Sequence, residues 1–188
     1  MINAGVIGLG DMGSGLAKNL IKNGFPVKGF DLSESRMRTF AEMGGKLTSN
    51  PAEVGKDTDA VFIMVMHGSQ VMEVVLNKDG LLSTLKPGSA IILTATIRAN
   101  EVRNLSESLK DSGLHLIDSP VSGGFTGAQE GTLTMMASGE NSVLDEFATV
   151  MKAVSKNIHR VGTEPGMGQT VKACLQSLIG SIFSATFE

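Results

Sequence analysis

Val6-Ile7-Gly8-Leu9-Gly10-Asp11-Met12-Gly13 decides how this chain is read. An apolar run ends in glycines at G-x-G-x-x-G spacing, and a helical pattern follows from Met12. A second apolar run, Val27-Lys28-Gly29-Phe30, then closes on Asp31. In this arrangement Gly8 permits the tight turn out of a strand. Gly10 lets a pyrophosphate approach the backbone, and Gly13 lets the helix pack close to the strand. The helix start offers unpaired N–H groups and the positive end of its dipole to phosphate charge. Asp31 is placed to accept hydrogen bonds from a ribose diol. A glycine triplet alone is also an ordinary turn. The strand before it, the helix after it and the acid at the right distance make it a dinucleotide site. Its expected contacts are Gly8, Leu9, Gly10, Asp11, Met12, Gly13 and Asp31.

Outward from that loop the chain alternates strand-like and helical segments. Strand-like runs are Ala4–Ile7, Val27–Asp31, Ala60–Met66, Ala90–Thr94, His115–Pro120, Thr132–Ala137 and Ile158–Val161. Helical patterns cover Met12–Asn23, Ser33–Met43, Gln70–Leu76, Ala99–Asp111 and Val143–Met151. Such alternation implies an α/β fold: a doubly wound, mostly parallel Rossmann-type sheet with helices on both faces. No internal repeat or low-complexity linker interrupts it.

Composition narrows the class. At 188 residues the chain fits one domain, or one domain plus a fragment. A net charge of -3 without a basic block favours neither nucleic acid nor an anionic membrane. The single cysteine, Cys174, excludes an internal disulfide and fits a reducing compartment. No run is long enough to span a bilayer and no signal peptide is recognisable, so a cytoplasmic protein is expected. His67, His115 and His159 share no metal-ligand spacing, and no metal site is expected. Cys174 reads as a buried small apolar group. The 11 methionines read as core filler, and without Trp or Tyr no base-stacking platform is available.

The last segment differs. Val171, Leu175, Leu178, Ile179, Ile182, Phe183 and Phe187 recur at three- and four-residue steps, which is one apolar stripe on a long helix. It stops at Glu188 without a C-cap glycine or a basic last turn. The expectation is a helix cut in mid-course, with residues 1–162 as the nucleotide domain and 163–188 as the start of a connector. A downstream helical domain would be missing. The stripe needs cover, so a homodimer or higher assembly is expected.

Two further motifs bear chemistry. Asp118-Ser119-Pro120-Val121-Ser122-Gly123-Gly124 lies where a strand runs out into a loop, the side on which open parallel sheets bind ligands. Ser122 offers a hydroxyl, and Gly123 and Gly124 can turn two N–H groups toward one anion. Gly166-Met167-Gly168 opens the last helix, with Lys172 on its second turn and Gln176 on the same face. Lys172 is flanked by apolar Val171 and Leu175. At the edge of a buried cleft, desolvation would lower its pKa toward that of a proton-transferring group.

Taken in order, these motifs resemble the β-hydroxyacid dehydrogenase family, which includes 3-hydroxyisobutyrate, tartronate semialdehyde, threonate and 6-phosphogluconate dehydrogenases. The matching signatures are Gly8–Gly13, the strand ending in Asp31, Asp118–Gly124, and Gly166-Met167-Gly168-Gln169-Thr170-Val171-Lys172. The resemblance implies that Ser122, Gly123 and Gly124 bind a substrate carboxylate and that Lys172 is the catalytic acid/base. It implies that Thr96 contacts a nicotinamide and that Val65 and Met66 form the loop under the cofactor. It also implies an all-helical domain downstream. Where the family commonly has asparagine, this chain has Gln176, one methylene longer, with Leu175 before it. That departure points away from plain 3-hydroxyisobutyrate and toward a sugar-acid branch similar to threonate dehydrogenases. The implied activity is reversible hydride transfer between a small β-hydroxy acid and NAD.

NAD is expected over NADP because Asp31 would repel a 2′-phosphate. Arg36, on the first turn of the next helix, could nonetheless reach one. Two alternatives are a non-catalytic NAD(P)-binding module and an imine-type reductase of the same superfamily; Lys172 argues against both. A fragment of this length is expected to be inactive or weakly active.

Overall fold

The computed structural model describes residues 2–188. The first half runs β1 (Ala4–Ile7), α1 (Asp11–Lys22), β2 (Val27–Phe30), α2 (Glu34–Glu42), β3 (Lys46–Leu47), α3 (Pro51–Gly55), β4 (Ala60–Ile63) and α4 (Gly68–Leu76). It continues through β5 (Ala90–Leu93), α5 (Ala99–Leu109), β6 (His115–Asp118), β7 (Val121–Ser122), α6 (Gly124–Glu130) and β8 (Leu133–Ser138). The last elements are α7 (Asn141–Glu146), α8 (Ala148–Lys152), β9 (Ser155–Gly162) and α9 (Met167–Phe187).

The strands form one sheet in the order β3-β2-β1-β4-β5-β6-β8-β7, with β9 added beside β8. From β3 to β6 every pairing is parallel. β8 is antiparallel to β6 and β7, and β9 runs parallel to β8. The parallel part has the strand order of a dinucleotide-binding sheet, whose direction of winding reverses between β1 and β4. Ligands in such sheets bind in the crevice outside the carboxyl ends of the strands at that reversal. The glycine loop leaves β1 at this point.

Side chains alternate across the central strands and divide the core in two. Ala60 and Phe62 of β4, with Ala90 and Ile92 of β5, pack on one face with Leu16, Leu20, Ala128 and Met151. Val61, Ile63, Ile91 and Leu93 point the other way, onto Val54, Val71, Val102 and Leu105. Strands covered on both faces read as continuous apolar runs, which is why the central ones were visible in sequence.

Several expectations need correction. β2, β4, β5 and β6 end earlier than the apolar runs, whereas β8 and β9 continue to Ser138 and Gly162; β4 stops at Ile63, and Met64–Met66 leave the sheet as a loop. The helix expected over Val143–Met151 breaks into α7 and α8, with Phe147 buried at the junction. The short elements β3, α3 and α6 and a 3₁₀ turn at Leu81–Ser83 were not expected. They are too brief to show a period. α3 did carry a start signal, since Asn50 Oδ1 accepts the Glu53 N–H at 2.9 Å and Pro51 fills the first helical position.

α9 seats only its first turns. Gly168, Gln169 and Lys172 are buried, whereas Leu178, Ile182, Phe183 and Phe187 are exposed. Cys174 is exposed, against the expectation that it is buried. Two residues turn a helix by about 200°, so Cys174 faces away from the side that buries Lys172.

Candidate functional site

The three loop glycines answer to different constraints. Gly8 has φ +86°, and a Cβ there would stand 2.2 Å from the Met64 carbonyl oxygen. A Cβ on Gly13 would stand 1.8 Å from the Gly8 oxygen. Backbone meets backbone at both, so the fold itself requires glycine. Gly10 is different. Its φ of -66° suits any residue, and the nearest atom to an added Cβ is the Arg36 guanidinium carbon at 3.7 Å. Nothing in the protein demands glycine there, and no side chain caps the helix start that Gly10 opens. The bare backbone at Gly10 faces a cavity.

That cavity has a volume of about 590 Å³. Its lining includes Gly8, Gly10, Asp11, Met12 and Gly13 of the glycine loop, with Asp31, Arg36, Val65 and Met66. Leu9 does not line it. Its side chain is buried in the core, and its contribution is its backbone N–H, which donates to Asp31 Oδ2 at 2.7 Å. The Ser33 N–H donates to Asp31 Oδ1 at 2.8 Å. The carboxylate therefore ties the end of β2 to the glycine loop while remaining at the cavity edge. Arg36 Nη1 lies 3.4 Å from Asp31 Oδ2, with the arginine side chain half exposed. The reach foreseen for Arg36 is thus directed, in this structure, at Asp31 itself. Gln70, also in the lining, accepts the Met66 N–H through Oε1 at 2.9 Å and pins the loop after β4.

The other candidate residues lie outside this cavity. Ser122 ends β7, half-buried, and Gly123 (φ +127°) and Gly124 (φ +59°) turn the exposed loop into α6. Thr96 is exposed in the loop after β5. Lys172 is 8% exposed, and no ion pair among the described residues involves it. Burial alone pushes its amine below the ordinary lysine range. Gln176, one turn further along α9, is exposed. No group of His, Cys, Asp and Glu among the described residues has the arrangement of a metal centre.

Sequence reasoning quoted Asp118 and Gln169 inside motifs without giving them work. Both are buried. Gln169 Nε2 donates to Asp118 Oδ1 at 2.9 Å and to the Ala95 carbonyl at 3.0 Å. Its Oε1 accepts the Ile97 N–H at 3.1 Å, and its own N–H donates to Asp118 Oδ2 at 3.2 Å. Burial pushes the Asp118 carboxyl up, and the bonds from Gln169 oppose that shift. A buried acid at a strand end, facing G-x-G-Q at a helix start, was the signal available. The hydroxyl of Ser119, the next residue, is fully buried and has no partner among the described residues.

The contact of α1 with α6 carries no signal in the sequence pattern. α1 touches α6 through Gly15, where an added Cβ would stand 2.6 Å from the Ala128 carbonyl. Asn19 Nδ2 donates to the Gly15 and Ala128 carbonyls at 2.8 and 2.9 Å. Gln129 Nε2 reaches the Asp11 carbonyl at 3.2 Å. The helix of the glycine loop is thereby fixed to the helix that follows Ser122-Gly123-Gly124.

Comparison with known proteins agrees with this geometry. L-threonate dehydrogenase of Escherichia coli O6:H1 is 35% identical over 187 residues, which is 99% of this chain and 62% of that protein. A probable mitochondrial 3-hydroxyisobutyrate dehydrogenase of Dictyostelium discoideum is 35% identical over 98% of this chain and 57% of its own length. The chain thus spans about three-fifths of these relatives. The crystal structure of 3-hydroxyisobutyrate dehydrogenase from Salmonella typhimurium superposes with a TM-score of 0.91 at 32% identity, covering 98% of this chain and 65% of that one. An imine reductase from Myxococcus stipitatus superposes at 0.89 but at 19% identity, covering 99% of this chain and 64% of its own, which shows the shared fold alone. Residues 3–162 match the family described as the NAD binding domain of 6-phosphogluconate dehydrogenase. The glycine loop, the acid ending β2 and the strand order all fit that description, and the chain belongs to this family.

Proposed function

We propose that this chain is the nucleotide-binding part of an NAD-dependent dehydrogenase acting on a small β-hydroxy acid. Residues 1–162 are the nucleotide domain, and 163–188 begin a helix leading to further helical structure. The observation that carries the reading is Lys172, a buried residue with no ion pair among the described residues, whose amine pKa is lowered by burial alone. It stands on a helix whose first turn is bound to the carboxyl ends of β5 and β6. An idle lysine would be solvated. One that is desolvated beside the ligand side of a parallel sheet suits proton transfer.

Gly8, Gly10, Asp11, Met12 and Gly13 would hold the pyrophosphate of NAD, Asp31 its ribose, and Val65, Met66 and Thr96 its nicotinamide half. When bound, NAD supplies the hydride acceptor. Ser122, Gly123 and Gly124 would hold the substrate carboxylate, the two glycines having the positive φ of a turn that can offer backbone N–H groups to an anion. Gln176 would orient the hydroxyl, and neutral Lys172 would take the hydroxyl proton as the alcohol becomes a ketone or aldehyde. In the reverse direction the protonated amine would return it. The longer Gln176 side chain favours a four-carbon sugar acid over 3-hydroxyisobutyrate as substrate.

Arg36 sits at the ribose end of the cavity already paired with Asp31, so NAD is favoured over NADP. The exposed apolar residues of α9 favour a homodimer. The lone cysteine fits the cytoplasm. Turnover of the full-length enzyme with NAD and a panel of glycerate, threonate and hydroxyisobutyrate tests the reading, with Lys172→Met beside it. Loss of activity in the variant is expected. Undiminished activity would overturn the mechanism and leave an imine-type reductase or another base to be sought.

A further inference from the structure

The helix that carries Lys172 starts without a cap of its own. Its N-cap is Gly166, in the left-handed region at φ +90°, and no side chain of that segment satisfies the first-turn N–H groups. The cap comes from across the fold. Asp118, at the end of β6, accepts the Gln169 N–H and faces the N–H groups of Gly166 and Gly168. A carboxylate at a helix N-terminus meets the positive end of the dipole. Gln169 completes the arrangement, binding Asp118 and the Ala95 carbonyl through its amide nitrogen and the Ile97 N–H through its oxygen. These bonds enclose Thr96, which lies between the two backbone groups held by one side chain.

No slack remains at this junction. A Cβ on Gly168 would stand 2.6 Å from the Met136 carbonyl oxygen and 2.7 Å from that of Asp118. A Cβ on Gly166 would stand 2.7 Å from the Ala99 oxygen. Lys172 follows Gln169 by three residues, about 4.5 Å along the helix and within about 60° of the same side. The rotation and height of α9 at Gln169 therefore set where the lysine amine comes to rest.

We propose that Asp118 and Gln169 are positioning residues: a clamp that fixes Lys172 on α9 and Thr96 on the β5 loop relative to one another. The clamp rests on the reading of Lys172 as acid/base, but its geometry can be tested apart from turnover. The order of the β5 loop and the desolvation of Lys172 have one common cause in this arrangement. Breaking the clamp releases both together.

The test uses this chain with 13C-labelled lysine, the Lys172 signal being identified by its loss in Lys172→Arg. In Gln169→Leu the Lys172 titration midpoint should rise toward the ordinary lysine value of 10.5. The Ile97 amide should exchange faster with solvent. NAD affinity, set at the glycine loop, should stay within about twofold. Asp118→Asn, which keeps the shape of the side chain, should give the same two changes in smaller measure, and it decides the matter if Gln169→Leu fails to fold. In the full-length enzyme both should lower kcat with little effect on the KM for NAD. An unchanged Lys172 midpoint with a still-protected Ile97 amide, in whichever variants fold, overturns the proposal. Turnover surviving Lys172→Met would instead remove the acid/base reading and leave the titration result standing.

Discussion

Replacing Gly10 by alanine separates what the fold requires from what the ligand requires. The added methyl meets nothing closer than 3.7 Å, the end of the flexible Arg36 side chain, and φ of -66° imposes no strain. Alanine also has less freedom than glycine to lose on folding. The variant should therefore be as stable as the parent or gain about 0.4–1 kcal/mol. For a chain of this size that is a rise of about 1–4 °C in Tm. The methyl projects into the cavity where the pyrophosphate would lie against bare backbone. Displacing it weakens charge-assisted hydrogen bonds worth about 1.5–3 kcal/mol. At 1.36 kcal/mol per decade, NAD affinity should fall roughly 10- to 150-fold. Calorimetric titration with NAD and a thermal melt on the same sample measure both quantities. Gly8→Ala and Gly13→Ala should lose stability as well as affinity, since backbone oxygens stand 2.2 and 1.8 Å from the new Cβ. If Gly10→Ala binds NAD as the parent does, the cavity at Gly10 is not the pyrophosphate site.

Three other outcomes are expected. Asp31→Asn keeps an acceptor for only one of the Leu9 and Ser33 N–H groups, removes the charge and frees Arg36 from its 3.4 Å pairing. The preference for NAD over NADP should narrow, and paired binding titrations showing an unchanged ratio would mean that Asp31 does not set it. Gly15→Ala should destabilise. Overpacking against the Ala128 backbone at 2.6 Å costs about 1–3 kcal/mol, and the better helix propensity of alanine returns at most about 1. A melt higher than the parent's would show that α1 and α6 can separate freely. Lys172→Met should stabilise the protein at pH 7. Burial holds the native amine below its unfolded value of 10.5, so below the native pKa both states carry the proton and the native state bears the desolvation cost. As pH rises from the native pKa to 10.5 that cost disappears, and the advantage of the variant should shrink. Melts at pH 7 and pH 10 showing a constant difference would exclude a perturbed Lys172.

The fold was legible because its signals are local. Ala60–Ile63 and Ala90–Leu93 are buried on both faces, so their runs are uniformly apolar and their place in a parallel sheet could be read directly. The glycine loop was legible because its G-x-G-x-x-G spacing lies within one strand-turn-helix unit, although the contact that constrains Gly8 comes from Met64, after β4. β3 and α6 were not legible, because two to seven residues do not establish a period and their conformation depends on neighbours far along the chain. Phe147 breaks an otherwise continuous helical pattern by taking a place in the core, a tertiary effect that propensity does not register.

The candidate site divides along the same line. Asp31 and the loop it meets are separated by 22 residues, and their relation is implied by the spacing of one βαβ unit. Asp118 and Gln169 are separated by 51 residues, and Asn19 and Ala128 by 109. No periodicity connects residues so distant. What the sequence did show was a polar residue where packing alone would not favour one: Asp118 ending an apolar strand, Gln169 between glycines and an apolar helix face. Each is costly to bury unless paired. When two such residues occur in one chain, each at the end of an element that points toward the ligand side of the sheet, the economical solution is that they pair with one another. The glycine at position 168 fits that solution, since only a residue without a side chain lets the helix approach near enough for the bonds to close. A motif read as G-x-G-Q for a helix start is therefore also the imprint of a contact with β6. In that sense the second half of the site was written in the sequence as a set of unpaid desolvation costs, and the fold supplied the partners.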